Sequence, residues 1–290
     1  MIRYNPREWF SFIFKFHKAD TFRELMPLIL LNAVYAGGVA YLELEIFKID
    51  KNSHLVNLTM LHTLLGLVIS LLLVFRTNTA YERWWEGRKM WGSLVNSSRN
   101  MAIKLNSLLP REEKKEREYF KTMIPDFSIA LKNHLRGTHE TEEWETPTED
   151  EALHQGTHIP NKFSAAMLNR LNQLVKKGAL SENNLLLLNP EIQNFADVCG
   201  ACERIKNTPI PFSYSVFLKK FIFFYVMSLP FSYAYSLGYI VIAVVPFFFY
   251  VLASLELIAE EIEDPFGSDA NDLPVDEICR GIRKSVQEIL

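Results

Sequence analysis

Apolar residues in this chain gather into three long tracts separated by polar stretches, and the tracts have the length that a bilayer demands. The first covers residues 25–42, LMPLILLNAVYAGGVAYL, and the second residues 55–75, LVNLTMLHTLLGLVISLLLVF. A helix rises about 1.5 Å per residue, so about 20 apolar residues cross a hydrocarbon layer of roughly 30 Å. The third tract, residues 211–257, is long enough for two crossings if the chain turns near Pro230. Four membrane helices are therefore expected. Pro27 sits early in its run, where a missing N–H costs least, and Gly37 and Gly38 allow a neighbouring helix to approach. Lys219 and Lys220 interrupt the third span and are expected to reach the cytoplasmic interface.

Between the second and third tracts the pattern becomes polar and helical in period, as in EEKKEREYFKTMIPDFSIALKNHLR and FSAAMLNRLNQLVKKG, with a loop over residues 138–160. Pro190 is expected to open a further helix at its first position. The division that follows is all-α. Residues 1–75 hold the amino-terminal segment and two spans, 76–210 a cytosolic helical region, 211–257 the last two spans, and 258–290 a cytosolic tail. Arg3, Arg7, Lys15, Lys18 and Arg23 precede the first span, and Arg83, Arg88, Lys89, Arg99 and Lys104 follow the second. Positive residues stay on the cytoplasmic side, which places both termini there and the turn near Pro230 outside.

Composition removes several other classes. A net charge of -3 gives no basic footprint for nucleic acid. The three cysteines, Cys199, Cys202 and Cys279, are too few for a disulfide framework, and Cys199-x-x-Cys202 lacks the second ligand pair of a zinc site, so it reads as packing. His154-x-x-x-His158 has a metal-like spacing, but Gly156 and Pro160 make a poor helix and no Glu follows the first His. It reads as loop. With no nucleophile elbow, P-loop or dinucleotide fingerprint, the chain is expected to be no enzyme and to carry no cofactor and no metal.

Three segments are specific. FRTNTAYERWWEGRKMWG, from Phe75 to Gly92, carries the triplet Arg83, Trp84 and Trp85; CGACERIKNTPIPFSYS runs from Cys199 to Ser215; IEDPFG runs from Ile262 to Gly267 and contains Pro265 and Phe266. Arg83 beside two tryptophans would alone pass for an interfacial belt. Together, in this order around four spans, the segments resemble the bestrophin family and its bacterial members. The resemblance implies a homopentamer in membrane lipid, with a central pore that passes monovalent ions, in the inner membrane of a bacterium.

Leu67, Leu71 and Phe75 recur every four residues and form one stripe about 12 Å long on a helix. On an arbitrary apolar helix this is a packing seam. Counted back from Arg83, the same positions match the family's pore neck, where five copies make stacked apolar rings that oppose ions by dewetting. Leu185 in SENNLLLLNP matches the family's second, cytosolic constriction by its distance from CGACERI, with Leu186, Leu187 and Leu188 as the alternatives. His62 lies off the stripe and reads as hydrogen-bonded packing.

Ion sign and regulation are argued from departures. Aliphatic rings offer no positive edge to an anion, Phe75 does, and Glu43, Glu45, Asp50 and Glu82 lie near the mouths of the spans. A monovalent cation is the expected ion, with chloride as the other candidate. Animal members bind calcium after the segment matching Asp264 to Gly267; here the run is SDANDLP, in which only Asp269 and Asp272 keep carboxylates, so calcium control is expected to be weak and Asp272 to cap a helix opened by Pro274. A non-conducting membrane scaffold is the alternative to a channel.

Overall fold

The computed structural model describes residues 21–48, 56–138 and 158–290. Among them no strand occurs, and eight α-helices carry the chain, as the all-α expectation requires. These are α1 (Thr21–Tyr41, extended by a π-helical turn Leu42–Ile46), α2 (Val56–Leu108), α3 (Lys114–Arg136), α4 (Ile159–Lys176), α5 (Glu182–Asn207), α6 (Phe212–Leu237), α7 (Val241–Glu263) and α8 (Val275–Ile289). Arg3, Arg7, Lys15, Lys18, Asp50 and His154 lie outside the described residues.

Two compact units divide the chain. One comprises the residues up to Arg83 with Pro209–Glu263 and Asp269–Asn271; the other comprises Trp84–Thr208, Asp264–Ser268 and Asp272–Leu290. Among the described residues, three stretches are long and apolar enough to cross a membrane: Thr21–Ile46, Leu58–Leu108, of which the first unit takes the part up to Arg83, and Phe212–Glu263. The last contains both α6 and α7, of 26 and 23 residues, packed on each other. Helix α1 lies chiefly on α7, and Ile69 and Leu73 of α2 join Ile222, Tyr225, Val241 and Val245 in one apolar core.

The break between α6 and α7 is not at Pro230. Pro230 lies within α6, and the chain leaves the helix at Gly238, which has φ 58° and opens a 3₁₀ turn over Gly238–Ile240. A positive φ is cheap only for glycine, whereas neighbouring helices let a membrane helix absorb a proline. Lys219 meets Glu260 of α7 at 2.7 Å, so the charge that interrupts the apolar run is paired across the helix hairpin.

In the second unit Trp91, Leu94, Phe120, Phe127, Phe163, Phe195, Cys202 and Ile282 belong to a single core. Ser181, not Pro190, starts α5: its hydroxyl accepts from the Asn184 N–H at 3.2 Å, a side-chain cap that proline lacks. The helix runs on through Pro190 because Leu188, Ile192 and Phe195 bury on the same core either side of it. Burial also agrees with the packing role of Cys199 and Cys202. It pushes the Cys199 thiol up to about 12 and that of Cys202 further in the same direction, so neither supplies a thiolate near neutral pH.

Helix α8 buries Val275, Cys279, Ile282 and Val286, a four-and-three spacing that puts one apolar face against α3. Its first turn is anchored by charge. Arg136 donates to both Asp276 oxygens at 3.0 and 2.8 Å and Lys132 stands 3.2 Å away, which hold the carboxyl down at about 2. The residue at the cap position is Pro274, with no side-chain cap bond. Asp272 is buried beside Gly267, where a Cβ would stand 2.6 Å from its Oδ2.

Candidate functional site

Helix α2 is one continuous run of 53 residues, about 80 Å at helical rise, and the two units take different parts of it. Within the first unit its faces differ sharply. Ile69, Leu73, Arg76 and Ala80 are buried at near-heptad spacing, while Leu64, Leu67, Leu71, Val74 and Phe75 are exposed on the chain. Leu67 is 71% exposed and Leu71 and Phe75 are each 57% exposed. The predicted stripe is therefore no packing seam within this chain. Thr63, Ser70 and Thr79, exposed near it, turn their hydroxyls back to the carbonyls of Thr59, Gly66 and Phe75 at 2.7–2.9 Å. Such back-bonding satisfies the hydroxyl inside its own helix.

The buried side of α2 is polar where it matters for holding the helix. Arg76, 1% exposed, stands 2.7 Å from Glu263 and 3.4 Å from Glu256 of α7. Glu263 also accepts the Ile210 N–H at 2.6 Å, and its carbonyl accepts from Arg83 Nε at 3.0 Å. This network ties α2 to α7 and to the entry of α6. Sequence reasoning passed over Arg76, although an arginine directly after an apolar run of spanning length is the signal that finds it. His62 has the packing role expected of it: Nδ1 lies 2.9 Å from the Leu58 carbonyl oxygen and 2.8 Å from Ser232 Oγ, and Nε2 lies 2.8 Å from Ser228 Oγ.

The acidic mouth expected from the sequence is only partly available. Glu43 is buried, 3% exposed, in the π-helical turn, and Glu45 accepts from Tyr239 at 3.3 Å. Glu82 is exposed. In the second unit α2 instead exposes Arg88, Lys89 and Arg99, and Trp85, Arg88, Lys89, Ser93 and Asn96 line an open cleft of about 670 Å³.

The signature residues have separate places. Arg83 belongs to the ion-pair network just described, Trp84 packs on the core of the second unit, and Trp85 is 48% exposed. Pro265 and Phe266 pack over Gly87, whose added Cβ would meet the Phe266 ring at 3.1 Å and Pro265 Cγ at 3.2 Å. Two motifs 180 residues apart thus form one contact. Gly87→Ala is expected to cost about 1–3 kcal/mol by overpacking this joint, read as a lower thermal midpoint of the purified protein; an unchanged midpoint would mean that the loop yields freely. Leu185 is half-buried against the core, Leu188 is fully buried, and Leu186 and Leu187 are exposed.

One arrangement has no counterpart in sequence reasoning, which assigned no metal ligand. His158, read there as a loop residue, meets His134 and Glu203. Separations of tens of residues hide such a cluster from any local spacing rule.

Comparison with known proteins covers nearly all of the chain. A family model described as bacterial/fungal bestrophin protein matches residues 1–288. A voltage-dependent anion channel-forming protein of Nostoc sp. is 37% identical over 230 residues, which cover 77% of this chain and 75% of that protein. The voltage-dependent anion channel-forming protein YneE of Escherichia coli K12 is 31% identical over 287 residues, 97% of this chain and 91% of that protein. Among solved structures, a crystal structure of a bacterial bestrophin homologue from Klebsiella pneumoniae superimposes with a TM-score of 0.81 at 30% identity, covering 90% of this chain and 96% of that one.

Proposed function

The chain belongs to the bacterial/fungal bestrophin family, and from that premise we propose that it forms a passive channel for monovalent anions such as chloride. The family is one of ion channels and not of enzymes, which agrees with the missing catalytic motifs. The observation that carries the pore reading is the exposure of Leu67, Leu71 and Phe75 on a membrane helix whose opposite face is buried. In a single chain these side chains line nothing. Around a fivefold axis they make three stacked apolar rings, with Phe75 as the lowest and the only aromatic one.

The cation expectation gives way. It rested on the aliphatic rings of Leu67 and Leu71 and on Glu43, Glu45 and Glu82; of these carboxylates the first is buried and the second hydrogen-bonded, and the curated relatives are named as anion channel-forming proteins. Exposed Arg88, Lys89 and Arg99 supply positive potential on α2, and the edge of the Phe75 ring adds a partial positive charge to the neck.

The assembly is a homopentamer in membrane lipid, each subunit with four spans given by α1, the first part of α2, α6 and α7. Both termini face the cytoplasm of the bacterial inner membrane, because the Lys and Arg residues flank the inner ends of the spans while the Gly238–Ile240 turn bears no charge. Leu185 forms a second constriction, with the exposed Leu186 and Leu187 at its edge.

Planar-bilayer currents in asymmetric potassium chloride test the reading. The expected reversal potential lies near the chloride equilibrium value and moves with chloride replacement. Reversal at the potassium value would restore the cation reading, and no current at any pH or voltage would leave a membrane scaffold.

A further inference from the structure

We propose that His134, His158 and Glu203 form a binding site for a divalent transition-metal ion of the zinc type. They come from three places in the second unit: His134 from the last turn of α3, His158 from the cap residue before α4, and Glu203 from α5. His134 Nε2 and His158 Nε2 stand 2.6 and 2.9 Å from the same oxygen, Glu203 Oε1, and one ligand atom from each residue lies within 4.8 Å of the others. The imidazole rings are 4.7 Å apart between centroids.

Two imidazole nitrogens and one carboxylate oxygen are the donor set of zinc and its first-row neighbours. Calcium and magnesium require six or more oxygens and do not fit. Metal–nitrogen and metal–oxygen bonds of about 2.0–2.1 Å in a tetrahedron put donors about 3.3 Å apart. The two nitrogen–oxygen distances are those of hydrogen bonds, so each imidazole nitrogen need draw back from the carboxylate oxygen by only about half an ångström to admit an ion.

The setting suits an ion that keeps one water. The side chains are 25%, 34% and 28% exposed, held by their helices yet reachable from solvent. Cys199 and Cys202, on the same helix as Glu203, are turned into the core at 1% and 0% exposure and stay out of the ligand set. The Asn161 side-chain amide lies 3.4 Å from His158 Nε2, within reach of a bound water, and the Asn161 N–H is donated to His158 Nδ1 at a similar distance. Metal bound through Nε2 moves the imidazole proton to Nδ1 and ends that long cap bond. Coordination then ties α3, α4 and α5 together where a hydrogen-bonded carboxylate now joins them.

The test uses the untagged full-length protein in detergent, titrated with zinc chloride by calorimetry and followed by thermal unfolding. The expected result is one micromolar site per chain and a thermal midpoint that rises with zinc. His134→Gln, His158→Gln and Glu203→Gln are each expected to weaken binding about 100-fold or more and to abolish the zinc-dependent rise. Cobalt gives a second readout on the unaltered protein, which decides the matter if a variant does not fold: a tetrahedral visible spectrum without thiolate charge transfer is expected. Absence of binding up to millimolar zinc, full-affinity binding in all three variants, or thiolate charge transfer with cobalt would each overturn the site.

Discussion

Replacing Leu67, Leu71 and Phe75 together by alanine is expected to raise single-channel conductance about tenfold, which corresponds to about 1.4 kcal/mol off the barrier to permeation. An apolar constriction obstructs ions because water leaves it before an ion can cross, and removing bulk from three successive rings both widens it and lets water remain. The three side chains are exposed on the chain and touch none of the buried α2 residues' roles, so the variant keeps its fold. Replacement of the buried Ile69 and Leu73 on the other face is the control, since it should weaken the membrane unit without opening the path. Bilayer recordings in symmetric salt measure both. Conductance unchanged in the triple variant would take the stripe out of the pore while leaving the family assignment where it stands.

Arg76→Leu is expected to be the most destabilising single change in the membrane unit, at about 3–5 kcal/mol. The loss is not chiefly that of an attraction. Glu256, 3% exposed, and Glu263 would be left as carboxylates in an apolar core without the cation between them. The double variant Arg76→Leu with Glu256→Leu should recover part of the loss, because it removes one orphaned charge along with its partner. Thermal unfolding monitored by size-exclusion chromatography in detergent gives the order of the three proteins. If Arg76→Leu melted with the native protein, the network would be ornamental to the fold.

Much of this architecture was legible in the order of apolar and polar residues. The span at 25–42 lies inside the helical stretch that begins at Thr21, and the span at 55–75 is helical from Val56 onward, since burial in lipid and burial in protein both demand apolar length. Prolines misled the reading where tertiary packing overrides local cost. Pro230 and Pro190 both sit inside helices, and the true boundaries are a glycine with positive φ at 238 and a serine cap at 181. Glu43 shows a different limit. A carboxylate at the end of a span looks solvated in one dimension, and only the π-helical turn that carries it inward makes it buried. The His134, His158 and Glu203 cluster was out of reach for a third reason: its members meet only because three helices converge.

The hydroxyls that α2 folds back onto itself bear on which ions the proposed pore would favour. Thr63, Ser70 and Thr79 have each given their proton to a backbone carbonyl of the same helix, and Leu67, Leu71 and Phe75 carry none. Over the proposed neck from Leu67 to Phe75, an ion would therefore be offered almost no oxygen or N–H to stand in for the water it sheds. Such a passage ranks anions by how loosely they hold their hydration: iodide and thiocyanate, which release water readily, cross at less cost than chloride, and fluoride at most.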